Sequence, residues 1–117
     1  MGARHPDHFV PVPPIPGANA DAIWFDTGPG GWESYQGFMG WVKCDQDVTL
    51  FIESQPVGGT LAVMNGGGAG QAIAANTPTS VKVEFLGYRT RIRVRTGATP
   101  PSAAGWHLDG RVTEDEI

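Results

Sequence analysis

The sequence predicts an all-β protein: an antiparallel, jelly-roll-like β-sandwich over residues 21–117, preceded by an extended proline-rich arm over residues 1–20. Three observations carry that expectation. Seventeen glycines and ten prolines among 117 residues leave almost no window long enough for a helix. Short β-branched and aromatic runs recur between them at the spacing of a sandwich or barrel. Several of these runs alternate apolar and polar residues, the period of a strand buried on one face.

The arm, "MGARHPDHFVPVPPIPGANA", holds five prolines and shows no period of a strand or helix. Such a stretch favours extended polyproline II backbone and cannot form a core alone. Phe9, Val10, Pro11, Val12, Pro13, Pro14 and Ile15 make it more apolar than a solvated linker needs, so it is expected to dock on another surface.

Seven strands follow, near 21–26, 35–44, 47–54, 60–65, 79–86, 89–96 and 104–112. Gly, Pro, Asn and Asp in "DTGPGGW", "CDQD", "QPVGGT", "NGGGAGQ", "LGY" and "GATPPSAAG" mark the reversals between them. The "CDQD" connection is short enough for a hairpin.

Alternation assigns the buried faces. Trp106, Leu108 and Val112 oppose His107, Asp109 and Arg111; Val81, Val83 and Phe85 oppose Lys82 and Glu84. The strands at 35–44 and 47–54 are apolar on both faces, since Met39 and Trp41 oppose Phe38 and Val42, and Phe51 opposes Leu50 and Ile52. Met39, Trp41 and Phe51 are therefore expected to meet another subunit or the arm.

Composition narrows the chemistry. At 40% hydrophobic residues and a formal charge of -4 the chain fits one small domain with a modest core. One cysteine, Cys44, rules out an internal disulfide and a cysteine-based metal site. His5, His8 and His107 lack metal-ligand spacing, no serine sits in a nucleophile elbow, and carboxylates are scattered singly apart from the "EDEI" tail. Neither an enzyme nor a cofactor is expected. The Gly-rich "NGGGAGQ" follows a strand but lacks the register and lysine of a phosphate loop. The opening residues lack the apolar core of a secretory signal and no run approaches membrane-spanning length, so a soluble, unanchored protein with no membrane partner is expected.

Arg89, Arg91, Arg93 and Arg95 supply half of the eight basic residues. On a strand they form a ladder about 20 Å long with Ile92 and Val94 facing the core. Nucleic-acid ribbons have this local pattern but sit on basic proteins with stacking aromatics nearby, and this chain is acidic. No nucleic-acid partner is expected. If the strand at 89–96 pairs with that at 104–112, Asp109, together with Glu84, neutralises part of the ladder and leaves two or three arginines for an acidic protein surface. Four tryptophans raise a second possibility, a sugar-stacking platform, for which Trp32 in its Gly-rich turn is the one suitably placed.

The order "QGFMGWVKCDQDVTLFIESQ", "TLAVMN", a Gly-rich loop, "TSVKVEFLGYRTRIRVRTGA" and "GWHLDGRV" resembles the small β-sandwich virion proteins of tailed bacteriophages. Their "sGyv.sDq.gtL.ie.S" strand is matched by Gly37 to Ser54, and their "v.v...yyRvrvtNg" strand by Val81 to Gly97. Thr96 replaces the Asn before that glycine, and "PVGGTLAV" stands where "DGt.W" is usual. The resemblance implies a head decoration (cement) protein, a homotrimer on the outer surface of the capsid bound to the major capsid protein, with no catalysis and no cofactor. The alternative it leaves open is a tail or fibre module that binds glycan or receptor.

Overall fold

The computed structural model describes residues 8–30 and 35–114. Among the described residues nine strands form: β1 His8–Val10, β2 Asp21–Asp26, β3 Gly37–Cys44, β4 Val48–Gln55, β5 Ala62–Val63, β6 Gln71–Ile73, β7 Thr79–Glu84, β8 Arg89–Thr96 and β9 Trp106–Thr113. They build two antiparallel sheets that pack as a sandwich. Sheet one has the order β1-β9-β3-β7. Sheet two has the order β2-β8-β4, with β5 and β6 both paired to the outer side of β4. If β5 and β6 are counted as one broken strand, successive strands alternate between the sheets in jelly-roll order, except that the broken strand stays in sheet two beside β4.

That alternation corrects two expectations. The "CDQD" segment is no hairpin, because β3 lies in sheet one and β4 in sheet two. Nor do β8 and β9 pair; "GATPPSAAG" carries the chain across from sheet two to sheet one. Turn residues specify that the chain reverses, and the sheet that the next strand joins depends on which edge can accept it.

The core lies between the sheets around fully buried Phe38, Val42, Leu50, Ile92, Val94, Leu108 and Val112. Burial of a side chain of this size contributes about 1.5–3 kcal/mol. Trp24 and Phe25 are both buried although adjacent, which a regular strand forbids. A bulge permits it: Ile23 pairs with Arg93 and Phe25 with Ile92, so two residues of β2 advance against one of β8. Trp24 then meets Phe38 edge to face at 4.7 Å, and Phe25 stacks on Phe38 and Phe85 at 5.9 and 5.8 Å.

The Trp24 ring lies against the backbone of Gly40 and Gly110, which pair directly across β3 and β9. A Cβ at Gly40 would stand 3.0 Å from Cη2 of Trp24, and one at Gly110 would stand 3.1 Å from its Cζ2 and overlap the Phe38 ring. This close approach is why glycine occupies both positions.

Residues read from the sequence as arm are tied to the sandwich from His8 onward. β1 pairs with β9, and Val10 joins the core with Ile15 packed against it. Segment 11–20 then crosses to sheet two. The Trp106 indole N–H donates to the Pro13 carbonyl at 2.8 Å, the Thr96 hydroxyl to the Gly17 carbonyl at 2.6 Å, and the Asn19 N–H to the Gly97 carbonyl at 2.8 Å. Proline lacks a backbone N–H, so a proline-rich crossing leaves fewer donors to satisfy.

Replacing Gly110 by alanine should destabilise the protein by about 1–3 kcal/mol through overpacking against Phe38 and Trp24. Denaturant unfolding of the variant beside the wild type measures it, and an unchanged midpoint would contradict this account of the glycine pair.

Candidate functional site

The outer face of sheet two carries the arginine ladder. β8 runs between β2 and β4, so its outward side chains are flanked on both sides. The β2 bulge inverts the strand's parity beyond Ile23, and this places Asp26 as well as Asp21 on the outer face. Arg89 grips Asp26 with two hydrogen bonds. Arg91 holds Glu53 of β4 with two, at 2.8 and 3.1 Å, and Arg93 reaches the same carboxylate at 3.0 Å. Arg93 also bonds Asp21 at 3.0 Å, and Arg95 closes on Asp21 with two bonds at 2.9 and 3.2 Å. Such paired, charge-assisted contacts are the strong kind. The Arg93 guanidinium lies 3.9 Å over the Phe51 ring and that of Arg95 5.1 Å from it.

The ladder's partners are therefore Asp21, Asp26 and Glu53, and not the Asp109 and Glu84 expected from sequence. Those two sit on β9 and β7, in the other sheet. All four arginines are ion-paired within the chain, where two or three had been expected to remain for a partner. Phe51, expected to meet another subunit or the arm, is only 8% exposed because Arg93 and Gly70 cover its ring from within the chain.

Electrostatics follow from these contacts. The Arg95 hydrogen bond holds the Asp21 carboxyl below the usual carboxylate range, and the Arg89 hydrogen bond does the same for Asp26. Burial pushes the Glu53 carboxyl up, but hydrogen bonds from Arg91 and Arg93 outweigh it and hold the group below its ordinary value. Carboxylates with lowered folded-state values stabilise the protein above their unfolded values, and that stability is lost as pH falls through the folded ones.

The Gly-rich loop has a structural role beside this face. The Asn65 side chain accepts from the Ile52 N–H at 3.0 Å and donates to the Leu50 carbonyl at 2.9 Å. It thus fills the gap on the β4 edge between β5 and β6. The 3-10 turn Gly66–Gly68 that follows needs left-handed backbone at all three residues, which glycine supplies without strain. Neither the short β6 nor this amide bridge was foreseen from the sequence; the "NG" dipeptide was the available signal, read only as a turn.

The outer face of sheet one differs. Register places Phe9, Arg111, Met39 and Lys82 in one row across β1, β9, β3 and β7, with Asp109, Trp41 and Ser80 in the next. Phe9 is 76% exposed, Trp41 57% and Val12 50%. With Met39 they line an open groove of about 560 Å³ whose floor is the Gly40–Gly110 backbone. Lys43, Lys82 and Arg111 lie on this face, so the described basic residues outside the ladder gather beside the apolar patch.

The structure thus unites Met39 and Trp41 with Phe9 and Val12 and separates them from Phe51. Asp109 stands opposite Trp41, outside the ladder. Of the remaining arm residues, Val10 and Ile15 face the core and Pro13 accepts from Trp106, while Pro11 and Pro14 are exposed on the crossing. Trp32, the expected glycan platform, lies outside the described residues. Among the described residues no three His, Cys, Asp or Glu side chains are grouped to hold a metal ion.

Replacing Glu53 by glutamine should cost about 2 kcal/mol at neutral pH, less than a wholly buried pair because Arg91 is partly solvated. Wild-type stability should hold above about pH 5 and decline below about pH 4, with a shallower decline in the variant. Urea unfolding across pH reads both; parallel acid limbs would refute the ladder's contribution.

No family model and no curated protein sequence matches the chain. Among solved structures, that of the PBSX exported protein XepA is similar over 95% of this chain, with a TM-score of 0.66 and 18% identity. This chain spans 38% of that protein's length, and the likeness shows a shared fold.

Proposed function

We propose that the protein is a non-enzymatic component of a tailed-phage particle, a decoration protein that binds the major capsid protein on the outer surface of the head. The observation that carries this reading is the contrast between the two outer faces. Sheet two directs its arginines to its own carboxylates, while sheet one exposes Phe9, Val12 and Trp41 together over a groove. Large apolar side chains clustered on a small protein, with Lys82 beside them, suit a permanent contact with another protein's surface. The sequence pattern from Gly37 to Ser54 and from Val81 to Gly97 supports the virion class, as does the fold likeness to an exported protein of the phage-related PBSX. Repetition over a particle lets individually weak contacts add.

Purified particles from producing cells should contain the protein in a fixed, high ratio to the major capsid protein by quantitative mass spectrometry. A few copies per particle would instead place it in the tail or a fibre. Trp41→Ser and Phe9→Ser should each lower its occupancy at least tenfold, as loss of an interface anchor does, without moving the unfolding midpoint, since both side chains are exposed. Occupancy unaffected by either change would rule out this face.

A further inference from the structure

Two strands border each sheet: β1 and β7 in sheet one, β2 and the broken β5–β6 in sheet two. Three of these edges are blunted in ways that discourage further pairing. β1 is three residues long, β2 is bulged at Trp24, and β5 and β6 are two and three residues separated by the Asn65 turn. β7 is unprotected. It is six residues long and pairs with β3 without a break from Gly37 opposite Glu84 to Val42 opposite Thr79. Among the described residues it has a strand on one side only.

The Phe85 N–H donates to the Gln36 carbonyl, so the odd-numbered residues of this strand turn their backbone groups toward β3. Ser80, Lys82 and Glu84 then turn theirs toward the open edge. The side chains of the same three residues are exposed, whereas Val81 and Val83 are buried.

We propose that β7 of a second copy covers this edge, antiparallel about a two-fold axis at Val83. In that register Lys82 stands opposite the partner subunit's Glu84, and Glu84 opposite the partner subunit's Lys82. A slip that puts Lys82 on the axis sets two lysines face to face, which is unfavourable. A slip the other way puts Glu84 on the axis and sets two glutamates face to face, and a longer slip, to an axis at Val81, brings Glu84 opposite Pro78, which has no N–H to give. The charge order along β7 therefore selects one self-complementary register, as an isologous interface requires. The result is a continuous eight-stranded sheet whose outer face carries two Trp41 patches, with the two β3 strands about 14 Å apart. The pairing does not depend on the proposed head binding, and its test uses the free protein.

Sedimentation equilibrium of the purified chain should give a concentration-dependent mass reaching twice 12.4 kDa. Lys82→Glu places like charges opposite each other twice and should raise the dissociation constant at least tenfold. The K82E/E84K double variant restores opposite charges and should restore association. At concentrations where the wild type is monomeric, circular dichroism and melting should not change in either, because both side chains are exposed. A monomer at every concentration, a three-chain mass, a K82E protein that associates like the wild type, or a double variant that stays dissociated would each overturn the proposal.

Discussion

The bulge in β2 is the constraint on which both halves of the structure depend. By advancing two residues of β2 against one of β8, it turns Trp24 and Phe25 inward together. Trp24 then fills the space above Gly40 and Gly110, and Phe25 stacks between Phe38 and Phe85. The same shift of parity brings Asp26, five residues after Asp21, to the outer face with it. Without the bulge Asp26 would point into the core and Arg89 would lose its carboxylate. Core packing and surface electrostatics are thus two consequences of one inserted residue.

The two sheets divide the remaining work. Sheet two is internally complete: Glu53, at 5% exposure, gathers Arg91 and Arg93, Asp21 gathers Arg93 and Arg95, and Phe51 lies beneath the guanidinium groups. The side of β4 away from β8 is finished by β5, β6 and the Asn65 amide. Sheet one is completed less fully. It has a straight edge at β7 and an outer face bearing Phe9, Met39 and Trp41. A chain with one cysteine has no disulfide to supplement a core of modest size, and its open edge and its Phe9–Trp41 patch both lie on sheet one.

Much of the site was legible and its connections were not. Alternation placed Arg89, Arg91, Arg93 and Arg95 on one face and Ile92 and Val94 on the other, because a strand's side chains have a period of two whatever it pairs with. It also set Met39 and Trp41 opposite Phe38 and Val42. Which carboxylates meet the arginines depends on strand order, and no local signal carries that. Asp109 shares parity with the ladder in the sequence pattern yet belongs to the other sheet. Asp26 breaks the parity of β2, so alternation counted from Asp21 assigns it to the wrong face. Asn65 and His8–Val10 were missed because a side-chain amide that stands in for a strand, and a three-residue edge strand among prolines, leave no periodicity to read.

By itself, the sequence determined the all-β class, the positions of the longer strands, the facing of side chains along the unbulged ones and the acidic balance that disfavours a nucleic-acid ribbon. These follow from properties of single segments: propensity, turn chemistry and a two-residue period. Only the tertiary structure decided which strands share a sheet, which carboxylates hold the arginines, that Phe51 is covered from within while Trp41 is not, and that among the described residues β7 is the edge left open. Each of these turns on contacts between residues far apart in the chain, such as the 72 residues between Asp21 and Arg93 or the 93 between Pro13 and Trp106. Local composition cannot encode such contacts until packing of the whole core selects among strand orders of similar local energy.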